Sequence, residues 1–129
     1  MEIRGAAHAL VQAWARAQEA RDVERLSDLF LRDPQPLVTF SDGERVKDWL
    51  DVRVRLQRDI ERHLIDRVEV HDVLVEPLEG GTALVTFAYD ISVRDLWGTA
   101  VTATRLASVV LVDTKDGLRI AMAHFSAPR

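Results

Sequence analysis

The residues whose types and spacing first suggest chemistry lie near the end of the chain, in "RIAMAHFSA". His124 and Ser126 stand two positions apart in an apolar run, and side chains at this spacing share one face of a strand. Apolar surroundings push an imidazole toward its neutral form, which can act as a base near neutral pH. The sequence therefore offers His124 as a catalytic base or hydrogen-bond anchor. The alternative is a structural histidine that hydrogen-bonds Thr104, Ser126 or a backbone carbonyl, and no orienting carboxylate is evident that would make Ser126 a nucleophile.

Tyr89 is the second candidate catalytic residue, because a phenol hydroxyl can donate a hydrogen bond to a substrate carbonyl. The alternative for Tyr89 is amphipathic packing with its oxygen at a rim. A further set is expected to supply the apolar walls and auxiliary donors of a ligand site: Trp14, Phe40, Trp49, Phe87, Ser108, Met122 and Ser126.

Carboxylates that could act as a base across such a site are few. Asp42 and Glu44 in "SDGE" are the nearby candidates, although acidic residues here also suit the capping of a following helix. Asp90 and Arg105 are expected to face each other across two strands as an ordinary ion pair.

Composition excludes several classes of function. The 129 residues contain no cysteine, so disulfides, thiolate nucleophiles and cysteine-bound zinc are absent. His8, His63 and His71 have no partners at metal-ligand spacing, and no nucleotide-binding motif is present, so we expect neither a metal nor a cofactor. A formal net charge of −4 argues against a nucleic-acid partner, which needs clustered basic residues.

The amino-terminal stretch "MEIRGAAHALVQAWARAQEAR" has charged residues within its apolar pattern, which is unlike a signal peptide. Nowhere do eighteen apolar residues run together, so no membrane span is predicted. A cytoplasmic protein is the resulting expectation.

The elements that must position these side chains are three helices followed by a sheet. Apolar residues recur at helical spacing in residues 4 to 21, in "DVERLSDLF" and from Glu44 to about Leu64, with a short β-prone "LVTF" between the second and third helices. Four β-branched runs follow, separated by the turn signals "EPLEGG", "DLWG" and "DTKDG". This order predicts one α+β domain over residues 1–129, in which the helices cover one face of an antiparallel meander and leave a hollow.

The faces of the sheet depend on two assumed hairpin registers, Leu96 with Thr99 and Val112 with Leu118. Paired residues share a face, so one face would collect Phe87, Tyr89, Ile91, Thr104, Leu106, Ser108, Val110, Ile120, Met122, His124 and Ser126. The opposite face would collect Thr86, Asp90, Arg105, Ala107, Val109, Ala121, Ala123 and Phe125. We expect the first face to line the hollow and the second to form a homodimer interface. A slip of one residue would exchange the two faces.

Two stretches resemble a known family. "WARAQEARDVERLSDLF" is similar to the first-helix signature of the nuclear-transport-factor-2-like superfamily, in its SnoaL-like and kinase-association-domain-like branch. "DGLRIAMAHFSAP" is similar to the closing pattern of that branch, with matches at Asp116, Gly117, Ile120, His124, Ser126 and Pro128. Leu118 stands where the branch usually has Trp, and Met122 where it has a first His.

The resemblance implies a cone-shaped, cystatin-like fold around a pocket, and often a dimer formed by the outer sheet face. Trp14 stands where the ketosteroid isomerases of the superfamily place a catalytic tyrosine, which disfavours that activity, and Asp90, Arg105 and Asp95 match the epoxide hydrolases poorly. We therefore expect a protein that binds a small hydrophobic or carbonyl-bearing molecule, with isomerase, cyclase or dehydratase chemistry at His124 as an extension. The alternative is a non-catalytic binding or self-association module.

Overall fold

The computed structural model describes residues 2–127, so Pro128 lies outside the described residues. Three helices and six strands follow in the predicted α+β order. Their bounds are α1 Ile3–Ala20, α2 Val23–Asp28, β1 Leu37–Thr39, β2 Arg45–Lys47, α3 Trp49–Arg62, β3 Leu64–Leu78, β4 Thr82–Arg94, β5 Ala100–Thr114 and β6 Gly117–Ser126.

The third helix begins later than its apolar spacing predicts. Residues 45–47 form β2, which pairs with β1. Asp48 then caps α3, since its side chain accepts a hydrogen bond from the Leu50 N–H. Asp22 caps α2 in the same way, because its side chain accepts from the Arg25 N–H.

The described strands form one sheet in the order β2-β1-β6-β5-β4-β3. The last four strands are the expected antiparallel meander. β1 joins it by pairing in parallel with β6, which extends the sheet beyond the four predicted strands. The helices lie on one face of this sheet, which we call the inner face. The opposite face of the sheet is the outer face.

The β4–β5 register differs by one residue from the prediction. Arg94 pairs with Ala100 and Tyr89 pairs with Arg105, whereas the assumed hairpin would have put Asp90 opposite Arg105. Because side chains alternate along a strand, this slip moves the side chains of β5 to opposite faces relative to β4. The β5–β6 hairpin also differs from the prediction, since Leu118 pairs with Asp113 rather than with Val112. The prediction that Asp90 and Arg105 form an ion pair is wrong.

The β5–β6 pairing contains a bulge at Ala121. Val110 pairs with Met122, whereas Leu111 pairs with Ile120, so one residue of β6 is unpaired. A bulge reverses the alternation of the strand that carries it. Ile120 therefore points inward and is 2% exposed, and Met122 points outward and is 48% exposed.

Asp90 lies on the outer face of the sheet, where Thr104 rather than Arg105 is opposite it. It accepts a hydrogen bond from the Thr104 hydroxyl at 2.8 Å, and the His71 ring lies 3.4 Å from its other oxygen. The Thr104 bond is the main reason that the pKa of Asp90 lies below its usual value. The pKa of His71 is raised by hydrogen bonds to two carboxylates, and the bond to Asp72 contributes more than the bond to Asp90.

Helix α1 covers the free edge of β3 with polar side chains. Arg16 donates to the Val68 carbonyl at 2.8 Å, and Glu19 accepts from the Val68 N–H at 2.9 Å. Arg4 and Arg21 donate to further β3 carbonyls. An unpaired strand edge is a site for aggregation, and α1 occupies this edge while packing its apolar stripe on the inner face.

In the part of the chain that the structure describes, no helix combines the length and apolar character that crossing a membrane requires.

Candidate functional site

A cavity of about 880 Å³ opens between the helices and the inner face of the sheet. α1, α2 and α3 form one side, and the beginning of β3, the end of β4, the beginning of β5 and Phe125 of β6 form the other. The cavity lies at the end of the sheet where β4 turns into β5.

Aromatic rings form the deep wall of this cavity. Trp14 of α1 stacks nearly parallel on Phe125, with ring centroids 5.7 Å apart and planes 11° apart. Tyr89 meets the Trp14 ring edge-on at 4.9 Å, and Phe40 lies 6.3 Å from Phe125. Such a cluster presents flat apolar surfaces, which suit a planar ligand.

Two hydrogen-bond donors in this wall have no protein partner among residues 2–127. They are the Tyr89 hydroxyl and the Trp14 indole N–H, and neither atom is fully enclosed by protein. Burial raises the pKa of Tyr89 to about 12, with the nearby Arg105 charge acting in the opposite direction. The Tyr89 phenol therefore stays neutral and able to donate throughout the physiological range.

Arg55 of α3 closes one side of the cavity with a network of ion pairs. Its guanidinium contacts Asp59 at 2.8 Å, Glu44 at 2.8 Å and Asp42 at 3.1 Å, and it stacks over the Phe40 ring at 4.1 Å. Burial opposes the charge, but the three carboxylates outweigh it and raise the pKa of Arg55. The network joins α3 to the turn between β1 and β2.

The carboxylates that line the cavity are Asp59 and Asp95. Asp59 uses one oxygen to accept from Arg55 Nε, and its other oxygen has no donor in the described range. Asp95 accepts from the backbone N–H groups of Trp97 and Thr99, both at 2.9 Å, and so holds the β4–β5 turn. Both bonds to Asp95 use the same oxygen, so each carboxylate keeps one oxygen without a donor among the described residues, and Asp59 is the one carried by a helix rather than by the rim turn.

The rim of the cavity carries large apolar side chains. Leu96 and Trp97, in the turn between β4 and β5, line the opening and are 96% and 85% exposed. Leu64 and Val101 extend this rim. The entrance therefore presents apolar surface to an incoming molecule.

Three of the residues predicted for a ligand site line the cavity: Trp14, Phe40 and Tyr89. Phe87 packs behind them, 5.4 Å from the Trp14 ring. Trp49 faces away from the cavity, where its indole N–H donates to the Ser27 carbonyl at 2.8 Å and Arg32 stacks on its ring. The predicted placement of Trp49 in the cavity wall is wrong.

His124, Ser126, Met122 and Ser108 lie on the outer face, away from the cavity. Ser108 pairs with His124, and both side chains are exposed. Their predicted placement in the cavity wall is wrong because the β4–β5 slip turns Ser108 outward, and the β5–β6 pairing beyond the bulge at Ala121 keeps Met122, His124 and Ser126 on the same face as Ser108. Asp42 and Glu44 contact Arg55 rather than lining the cavity.

The same slip brings Arg105 into the cavity, and this residue was missed. Arg105 alternates on β5 with the small or apolar residues Ala103, Ala107 and Val109, which face inward with it and of which Ala107 and Val109 are buried. Asp59 was also missed, although it lies one helical turn after Arg55, where an ion pair is expected.

No group of three or more potential metal ligands comes together among the residues described.

Solved structures share this fold over nearly the whole chain. A candidate dehydratase of the NTF2-like family from Streptomyces avermitilis is 21% identical, with a TM-score of 0.83, and the alignment covers 95% of this chain and 94% of that one. A candidate aromatic ring hydroxylase from Novosphingobium aromaticivorans is 18% identical, with a TM-score of 0.84 and coverage of 98% and 89%. A protein with a cystatin-like fold from Caulobacter vibrioides is 15% identical, with a TM-score of 0.80 and coverage of 98% and 89%.

These similarities define the class of fold, which is the cystatin-like fold. Within it, the model of the SnoaL-like domain matches residues 7–129. The chain belongs to the SnoaL-like family, as its two sequence motifs predict. No curated protein matches the chain by sequence.

Proposed function

We propose that this protein binds a largely apolar, planar small molecule in the cavity. The observation that carries the proposal is the cavity of about 880 Å³ whose aromatic wall holds the unpartnered Tyr89 hydroxyl. Ligand sites are typically about 300–1,000 Å³, mostly apolar, with a few placed polar groups. A donor left without a protein partner in such a wall suits a ligand oxygen.

Acid–base chemistry in this cavity would rest on Asp59 and Tyr89 rather than on His124. The free oxygen of Asp59 can take a proton from carbon next to a carbonyl, while the neutral Tyr89 phenol donates to that carbonyl. This is the elementary step of cofactor-independent isomerases, cyclases and dehydratases. The names of two similar structures, a candidate dehydratase and a candidate hydroxylase, also concern small molecules.

Filling the cavity tests the binding proposal. Ala103 lines the cavity on β5, and Ala103→Trp would place an indole in the space that a ligand needs. We expect the wild type to retain a small molecule in native mass spectrometry or to bind the neutral fluorescent dye phenylnaphthylamine, and the variant to bind the dye at least about tenfold more weakly.

Thr102→Trp is the matched control. Thr102 precedes Ala103 on the same strand and is exposed. The indole of the variant therefore points to the face opposite the cavity. Equal loss of dye binding in both variants, or no retained molecule and no dye binding in the wild type, would contradict the proposal.

The outer face supports a second candidate function, self-association into a homodimer. Leu84, Val110 and Met122 form one cross-strand row, and Leu84, Leu106 and Met122 are 39%, 45% and 48% exposed. An extended sheet face with apolar rows suits an interface between copies of the chain. The sequence also assigned a dimer to the face away from the helices, but the structure puts different residues of β5 and β6 on that face.

A further inference from the structure

The cavity contains a positive charge that no acidic residue among those described balances. Four arginines line it: Arg55, Arg62, Arg94 and Arg105. Arg55 contacts three carboxylates, and Arg94 lies 3.3 Å from Asp66. Arg62 is exposed at the rim, where water solvates its charge.

Arg105 differs from the other three because it is half-buried in the wall and has no carboxylate within ion-pair distance in residues 2–127. Within those residues Arg105 makes one hydrogen bond, which its Nη1 donates to the carbonyl of Thr104 at 3.2 Å. A guanidinium has five N–H donors, so most of its donors are left for a ligand. Placing a charge among apolar groups is unfavourable unless the charge is paired.

The neighbours of Arg105 define where its partner would sit. Tyr89 is its cross-strand partner on β4, and Ala103 precedes it on the same face of β5. The two side chains therefore share the inner face, near enough for the charge of Arg105 to act on the pKa of Tyr89, and the Tyr89 ring contacts Trp14, which stacks on Phe125. Asp90, the carboxylate that could have neutralised Arg105, is on the outer face with Thr104.

We propose that the ligand is a planar organic anion, whose carboxylate or comparable oxyanion is bound by Arg105 and Tyr89 while its apolar body lies against Trp14 and Phe125. The inference rests on the proposed binding function and adds the charge of the ligand. Arg suits this role because its planar group matches a two-oxygen anion. The positive charge of Arg105 in the cavity contrasts with the formal net charge of the whole chain, which is −4.

A pair of dyes that differ in one anionic group tests the inference. Anilinonaphthalene sulfonate is phenylnaphthylamine with an added sulfonate, so the two dyes share their aromatic body. We expect wild-type protein to bind the sulfonate more tightly than the neutral dye, and Arg105→Gln to weaken sulfonate binding about tenfold to a hundredfold with the neutral dye affected less than about twofold.

Arg119→Gln is the matched control. Arg119 on β6 also donates from Nη1 to the carbonyl of its preceding residue, at 2.8 Å, and it pairs with Val112 on the outer face. The control removes the same charge outside the cavity and should leave both affinities unchanged. The Ala103→Trp variant should lose both dyes, which places them in the cavity.

The two failures are distinguishable. If the neutral dye binds as tightly as the sulfonate, or if Arg105→Gln weakens both dyes equally, binding in the cavity stands and the anionic ligand is rejected. If neither dye binds the wild type, the proposed function and this inference both fail.

Discussion

The roles proposed for Tyr89 and Arg105 depend on the position of each side chain relative to the other. Each alone is unremarkable in the sequence, but pairing across β4 and β5 puts a neutral phenol and a guanidinium that has no carboxylate partner in residues 2–127 on one apolar wall. Their proximity also has a measurable consequence, because burial raises the pKa of Tyr89 while the charge of Arg105 limits that rise.

The titration of Tyr89 can be read directly, since the chain contains one tyrosine. The tyrosinate absorbance of the native protein should appear with a midpoint near pH 12, compared with about 10 in denaturant. A midpoint near the denatured value in folded protein would mean that the Tyr89 hydroxyl is exposed to water.

The same shift predicts how stability depends on alkaline pH. Between about pH 10 and 12 the unfolded chain has lost the Tyr89 proton and the folded chain retains it, so the free energy of unfolding falls as pH rises, by roughly 2 to 3 kcal/mol across that range. When urea unfolding is measured at about pH 10 and about pH 12, the free energy of unfolding of Tyr89→Phe should fall less than that of the wild type, because the variant has no phenol to titrate.

At the scale of elements, α1 has two tasks, to cover the core and to complete an edge strand. Its apolar stripe was clear from the sequence, but Arg16 and Glu19 had no assigned partner. Both bind the backbone of Val68 on β3, so they satisfy groups that another strand would otherwise bind.

We expect Glu19→Ala to destabilise the protein by about 1 to 3 kcal/mol, because it leaves the half-buried Val68 N–H without its acceptor. Thermal unfolding and light scattering would show a lower melting temperature and earlier aggregation. Glu24→Ala, in the exposed first turn of α2, is the matched control. Equal stability of the two variants would show that the edge contact contributes nothing.

At the scale of the whole molecule, the sheet separates two surfaces with different chemistry. The inner face carries the aromatic cavity, and the outer face carries apolar rows on either side of a polar row formed by Thr86, Ser108 and His124. α1 covers one sheet edge, and the other is the three-residue strand β2. Association through the outer face is therefore favoured over association through an edge.

Leu106→Glu with Met122→Glu should shift the protein from dimer to monomer in light scattering coupled to size-exclusion chromatography, because like charges would be buried in the proposed interface. Val54→Glu is the control, since Val54 is 65% exposed on α3, away from the sheet. A monomeric wild type at micromolar concentration would contradict the dimer proposal and leave the cavity proposal intact.

Local patterns were sufficient to predict the α+β order, the three helices, the β3–β6 meander and the SnoaL-like family, because apolar periodicity, capping residues and turn motifs act over a few neighbouring positions. They also pointed to Trp14 and Tyr89, which α1 and β4 carry to the cavity whatever the register of β5, and to Phe40, which directly follows β1. Only the tertiary structure decided that Arg105 faces the cavity and His124 the outer face. That outcome depends on a one-residue choice in the β4–β5 pairing and on a bulge at Ala121. The physical reason is that strand alternation has a period of two, so side-chain direction follows from pairing across strands, which neighbours along the chain do not determine.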